Sequence, residues 1–159
     1  MRKVWKYLPD AMALFMAAVF LDSLRYKFLD HPKTQEIFGR LDGWAASLGL
    51  GGLFDHTGLF SQYVIGGIEL LASVLLIVGL HPRFKHLQAG GALAGLLVMT
   101  GAVSFHLFTP LGIDPNGDGG GLFAAACVNL GFALVLLFGF RRAAMIVLAR
   151  RVVEVVRPG

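Results

Sequence analysis

The chain has 159 residues, 56% of them hydrophobic and only 15% charged, against about 25% charged in an average soluble domain. Its mean hydropathy is +0.69. One soluble core cannot absorb so much apolar sequence, so the composition points to an all-α, polytopic membrane protein. The net charge of +4 does not imply a nucleic-acid partner, because the basic residues gather at the edges of apolar segments, and the single cysteine, Cys127, excludes an intramolecular disulfide or a CxxC redox pair.

The N-terminus combines a basic start (Arg2, Lys3, Lys6) with a short apolar run, Ala11–Leu21, in the manner of a signal peptide. Asp22-Ser23-Leu24-Arg25 follows and offers no small-x-small cleavage site, so the segment reads as an uncleaved first span. Pro9 suits a first helical turn, and a helix over residues 9–29 covers roughly 31 Å. Its last two turns carry Asp22, Ser23, Arg25, Tyr26 and Lys27, which must face other helices or water rather than lipid.

From Pro32, the residues Ile37, Phe38, Leu41, Trp44, Ala45 and Leu48 recur at helical spacing, with Lys33, Glu36, Arg40 and Asp42 elsewhere on the wheel. This predicts an amphipathic helix over 32–48 that lies on the membrane surface or caps the bundle. The second span is 61–80, with one carboxylate, Glu69, near its middle just after Gly66-Gly67. His81-Pro82-Arg83-Phe84-Lys85-His86 turns the chain back into a third span over 87–108. There Gly91 and Gly95 form a GxxxG that permits close helix approach, and Thr100, Ser104 and His106 make the second half polar. A Gly-, Pro- and Asp-rich loop precedes the fourth span, 122–140, with Cys127 and Asn129. The tail, 141–159, reads as a basic amphipathic helix on an anionic membrane surface.

Lys and Arg placement sets the expected orientation. With both termini cytoplasmic, the inner segments hold Arg2, Lys3, Lys6, Arg83, Lys85 and the five tail arginines; the outer segments hold only Arg25, Lys27, Lys33 and Arg40. The expectation is therefore a four-helix transmembrane bundle, N-in and C-in, in a bacterial inner membrane.

Measured at the standard rise from the outer end of each span, Glu69 and Thr100 lie about 12 Å deep and Asp22 and Asn129 about 10 Å. Ser104 is shallower, His106 is near the rim, Arg25 and Lys27 can reach inward, and Asp118 of the outer loop is counted with the cluster. This predicts a bundle packed tightly on the cytoplasmic side and polar on the outer side, with Glu69 at the floor of the cluster, paired with Arg25 or Lys27. An intramembrane ion pair can also be structural glue, so the cluster is either a pocket or a clamp.

Asp114-Pro115-Asn116-Gly117-Asp118-Gly119 matches the opening of a calcium loop, but the twelfth position is Ala125 rather than Glu. Turn-forming Asx residues explain it better. The five histidines show no metal-ligand spacing, and only His106 falls within a span, which disfavours haem. No metal site is expected, haem and calcium are disfavoured, and the residues themselves name no cofactor.

Arg25-Tyr26-Lys27-Phe28 ends the first span, Gly67-x-Glu69 sits in the second, and a Leu-rich run leads to Gly79-Leu80 with Arg83. His106 follows, then Thr109-Pro110-Leu111-Gly112-Ile113 and Gly117-Asp118-Gly119-Gly120-x-Leu122-Phe123. This ordered set, covering residues 10–140, resembles the DoxX-like family of small four-helix membrane proteins. Ser23-Leu24 stands where the family often has glycine.

The resemblance implies a membrane subunit associated with a quinone-linked oxidoreductase, exchanging electrons with partner proteins. Glu69 and His106 would be its hydrogen-bonding acid and histidine beside a quinone, with Glu69 as proton carrier. The alternatives are a non-enzymatic anchor or assembly subunit and, less favoured, a small-solute transporter or channel.

Overall fold

The computed structural model describes residues 2–147 and Arg150, with side chains described from Trp5 onward. Its order is α1 (Arg2–Phe28), α2 (Pro32–Ser47), α3 (Gln62–Val78), a 3₁₀ turn (Pro82–Phe84), α4 (Lys85–Phe108) and α5 (Gly121–Leu134), which passes into a π-helical turn (Val135–Phe140). Among the described residues there is no strand.

α1 begins seven residues earlier than expected. Pro9 lies inside the helix rather than in its first turn. A proline there loses its N–H from the ladder and crowds the carbonyl four residues back, and the preceding Arg-Lys-Val-Trp-Lys-Tyr-Leu sequence nonetheless continues the helix back to Arg2. The other end is a left-handed stop. Asp30 has φ 51°, and the His31 N–H donates to Tyr26 O at 3.0 Å, the six-to-one bond of a Schellman turn. His31 then caps α2: its Nδ1 accepts from Lys33 N at 3.3 Å, and Pro32 takes the first helical position.

α1, α3, α4 and α5 pack around one core, with α3 against α1 and α4, and α5 against α4 and α1. Met16, Ala17 and Phe20 meet Ala72 and Leu76, Ala89, Ala92 and Met99, and Ala126, Ala133 and Leu136. The outer faces are also apolar: Leu97 and Phe138 are each 66% exposed. A helix apolar all round belongs in lipid.

Three helices, Trp5–Phe28, Pro82–Phe108 and Gly121–Phe140, are long and apolar enough to cross a membrane, and Gln62–Val78 is a shorter apolar helix. The chain is thus an integral membrane protein. α3 is shorter than expected because Ser61 is its cap, accepting from Val64 N, and Gly79 ends it.

Lipid tails are as apolar as leucine, so fit rather than burial holds such helices together. The two glycines of the GxxxG serve different neighbours. A Cβ on Gly91 would stand 2.8 Å from the backbone O of Ala72 in α3, whereas one on Gly95 would stand 2.9 Å from Met16 Cε in α1.

α2 buries Leu41 and Ala45 against Phe54 and Leu111, with Ile37, Phe38, Trp44 and Phe105 around them. Asp42 Oδ1 accepts from Gly52 N and Phe54 N, folding the intervening loop beneath α2. Of the expected tail helix, residues 142–147 are helical; the remainder, apart from Arg150, lies outside the described residues.

Candidate functional site

Glu69 comes two turns into α3, on the face that also buries Gly66 and Ser73. A carboxylate there is 3% exposed and needs a counter-charge. Lys27, next to last in α1, supplies it: Nζ donates to Oε2 at 2.9 Å and Oε1 at 3.1 Å. Lys27 reaches down past Gly66, where a Cβ would stand 3.5 Å from Lys27 Cδ.

Ser23, one helical turn before Lys27, donates to Glu69 Oε2 at 3.1 Å and accepts from Lys27 Nζ. Three side chains from two helices thus close a hydrogen-bonded ring. Ser73 Oγ donates to the backbone O of Glu69 at 2.8 Å, a bond within α3.

A second polar layer caps this ring. Gln62 Nε2 donates to Lys27 O at 2.8 Å and also to Asp30 Oδ1. Asp30 Oδ1 accepts further from Tyr63 Oη and Gln35 Nε2, and Gln35 donates to Gln62 Oε1 at 2.9 Å. The ends of α1, α2 and α3 are clamped together above the ion pair. A recess of about 170 Å³ opens beside this layer, lined by Gln35, Phe38, Asp42, Phe54, His56 and Gln62.

The other expected members of the cluster lie elsewhere. Arg25 pairs with Asp22 at 2.9 Å, both side chains being 61% exposed, and its guanidinium stacks on Tyr26. Thr100 is exposed and returns its hydroxyl to Leu96 O, and Ser104 is half-buried. His106 is buried, packs edge-on against Phe123, and bonds through Nδ1 to Gly112 O at 2.6 Å. A carbonyl only accepts, so Nδ1 carries the proton; the ring engages the 109–113 loop rather than Glu69.

Asp118 serves the start of α5: Oδ1 accepts from Gly120 N and Gly121 N at 3.0 Å, and Oδ2 from Leu122 N at 3.1 Å. These are favourable contacts at a helix N-terminus. Asp114 Oδ1 accepts from Asp118 N at 2.8 Å. Desolvation pushes the Asp114 carboxyl up. It is outweighed by the backbone N–H groups of Asp118, Gly120 and Gly119 and by the Asp118 side chain, which hold it below the usual carboxylate range. Among the described residues, no three His, Cys, Asp or Glu side chains converge as a metal site.

Asn129 is different. It is fully buried on the α5 face shared with Ala126 and Ala133, and neither amide atom has a hydrogen-bond partner. Leaving one such group unpaired costs about 1–3 kcal/mol, and buried amides are rarely left so.

The opposite end of the bundle corrects the expected polarity. It is not purely Leu, Val, Ala and Gly. Asp10 Oδ1 accepts from Lys85 Nζ at 2.6 Å and from Gln88 Nε2 at 3.1 Å, with Arg141 Nη2 3.6 Å away. Arg141 Nε donates to the fully buried Gln88 at 2.7 Å. Residues near both ends are thus tied by polar layers, separated by the fully buried Met16, Phe20, Ala72, Leu76 and Ala92. Sequence reasoning missed Ser23, Gln62 and Asp30 as well as this cluster. The signals were the i, i+4 spacing of Ser23 and Lys27 and the i, i+3 spacing of Lys85 and Gln88; Asp30 and Gln62, on separate segments, carried none.

No family model, curated protein or solved structure matches the chain.

Proposed function

We propose that this protein is a DoxX-like membrane subunit of a quinone-linked oxidoreductase, with four spans, both termini cytoplasmic, in a bacterial inner membrane. The observation that carries the reading is Glu69, 3% exposed on an apolar helix and held by Lys27 and Ser23. Ionisable groups at such depth are costly, rare and concentrated at proton and substrate pathways. The excess of Lys and Arg at the start of α1, around the α3–α4 turn and after α5 supports the orientation.

The orphaned amide of Asn129 fits a quinone: its Nδ2 can donate to a carbonyl oxygen, and its Oδ1 can accept from a quinol hydroxyl. The quinone would supply the redox chemistry. The chain's own part is to hold that headgroup through Asn129 and to keep an exchangeable proton site at Glu69, with Lys27 and Ser23 as its fixed partners.

A second reading is an anchor or assembly subunit, whose basic tail lies on anionic lipid and whose α2 face docks a partner. It is favoured by the closed hydrogen bonding of the ring, in which Lys27 and Ser23 satisfy Glu69 completely enough to serve as a clamp between α1 and α3. A solute pathway is opposed by the apolar layer between the two polar ends.

Mild-detergent purification from native membranes tests the first reading, through subunit composition, visible spectrum and extracted quinone. A flavin-, haem- or metal-bearing partner and bound quinone are expected. A lone, colourless, quinone-free protein would contradict it.

A further inference from the structure

We propose that the α3–α4 end of the bundle binds the phosphate of an anionic lipid headgroup, between Lys85 and Arg141. Residues from three helical segments meet there around a single carboxylate. Asp10 takes Lys85 at 2.6 Å and Arg141 at 3.6 Å, through the same oxygen. Two cations share one anion, which leaves one positive charge in excess. Lys85 has two N–H donors beyond its bond to Asp10, and Arg141 has further guanidinium donors beyond those directed to Gln88 and Asp10.

The cluster is reachable: Lys85 is 31% and Arg141 16% exposed. Arg83, in the turn before Lys85, and Arg142, next in sequence to Arg141, are exposed, and among the described residues neither pairs with a carboxylate.

Depth and surroundings favour a lipid over free phosphate. Trp5 and Tyr7, exposed on α1 within two turns of Asp10, are the residue types that sit at headgroup level. Below the cations the surface is apolar, with Leu14, Val78 and Phe138 exposed, so one molecule can place its phosphate on the cations and its acyl chains along the helices. Basic pockets between helices at a membrane edge recognise anionic headgroups in this way.

The purified full-length protein is to be titrated with phosphatidylglycerol, with phosphatidylcholine of the same acyl chains, and with inorganic phosphate, reading thermal unfolding and lipid retention by native mass spectrometry. Saturable retention of phosphatidylglycerol, with a rise of several degrees in Tm, is expected, and neither from the other two. Lys85→Gln/Arg141→Gln should lose at least tenfold in phosphatidylglycerol affinity.

Asp10→Asn removes the competing carboxylate and should bind the lipid at least threefold more tightly, whereas a merely structural cluster would lose stability and gain no binding. Equal response to both lipids, unchanged affinity in the double variant, or weaker binding by folded Asp10→Asn would overturn the site. An equal response to inorganic phosphate would overturn the lipid as its source.

Discussion

Lys27 and Glu69 meet across α1 and α3 as a two-pronged ion pair, 2.9 and 3.1 Å from ammonium to carboxylate, with Glu69 3% exposed. Their positions are 42 residues apart, so the contact fixes the relative rotation of the two helices. A buried pair of this kind is weak support for stability while intact, because desolvation offsets attraction. Its importance shows when one partner is lost.

Removing either charge alone should therefore be costly. Glu69→Gln and Lys27→Met are each expected to destabilise the fold by about 3–5 kcal/mol, by leaving the other charge buried without a partner. The double variant Lys27→Met/Glu69→Gln should cost less than either single variant, so the coupling should be at least about 3 kcal/mol. Denaturation in mixed micelles measures this; additive losses would show that the two groups do not interact.

Asn129 predicts the opposite sign. Asn129→Leu keeps the branched heavy-atom skeleton and removes two unpaired polar atoms, so it should stabilise the bundle by about 1–3 kcal/mol where the larger methyl groups fit. It should also lower the amount of quinone that co-purifies, if the amide holds the headgroup. The same denaturation assay with quinone extraction checks both; a destabilised Asn129→Leu would mean that the amide is satisfied in the membrane by the protein itself.

Helix contact at the glycines is the third prediction. Gly91→Ala drives a methyl to 2.8 Å from the backbone O of Ala72, where neither helix can yield without shifting, and should cost about 1–3 kcal/mol. Gly67→Ala meets nothing within 4 Å and should be neutral or stabilising by up to about 1 kcal/mol. Equal effects at the two positions would argue against the close α3–α4 approach.

The loop between α4 and α5 should loosen in acid. The Asp114 carboxyl is held below its usual range in the folded chain. Its contribution is therefore present above the unfolded value of about 3.9 and lost as pH falls through the lower folded value. Hydrogen exchange over residues 109–120 should show reduced protection below about pH 3.9 relative to pH 7, and Asp114→Asn should flatten that dependence. An unchanged loop in acid, or the same dependence in the variant, would contradict it.

The helices were legible because the apolar runs are long and because α2 repeats its apolar residues at helical spacing from Ile37 to Leu48. Glu69 stood out as an acid within such a run. Its partner could be narrowed only to Arg25 or Lys27, since both lie within reach; the choice depends on how α1 is rotated, and Arg25 instead meets Asp22 one turn away.

Depth along a helix also says nothing about which face a residue occupies. That is why Thr100, placed level with Glu69, turns to Leu96 O instead, and why His106 engages Gly112. Asp10, Lys85, Gln88 and Arg141 lie on segments far apart in sequence, and their meeting depends on the register of three packed helices. Pro9 was read as a beginning because it favours first turns, yet α1 runs through it back to Arg2.

The most direct test asks whether Glu69 takes part in chemistry or only joins α1 to α3. Lys27→Met/Glu69→Gln removes the acid without stranding a charge. The measurement is quinone-linked turnover of the purified complex, at matched subunit stoichiometry. The prediction is an assembled complex whose turnover falls at least about tenfold, a loss of about 1.4 kcal/mol in transition-state stabilisation. An assembled double variant with full turnover would contradict a proton role for Glu69 and leave the pair as a clamp between two helices.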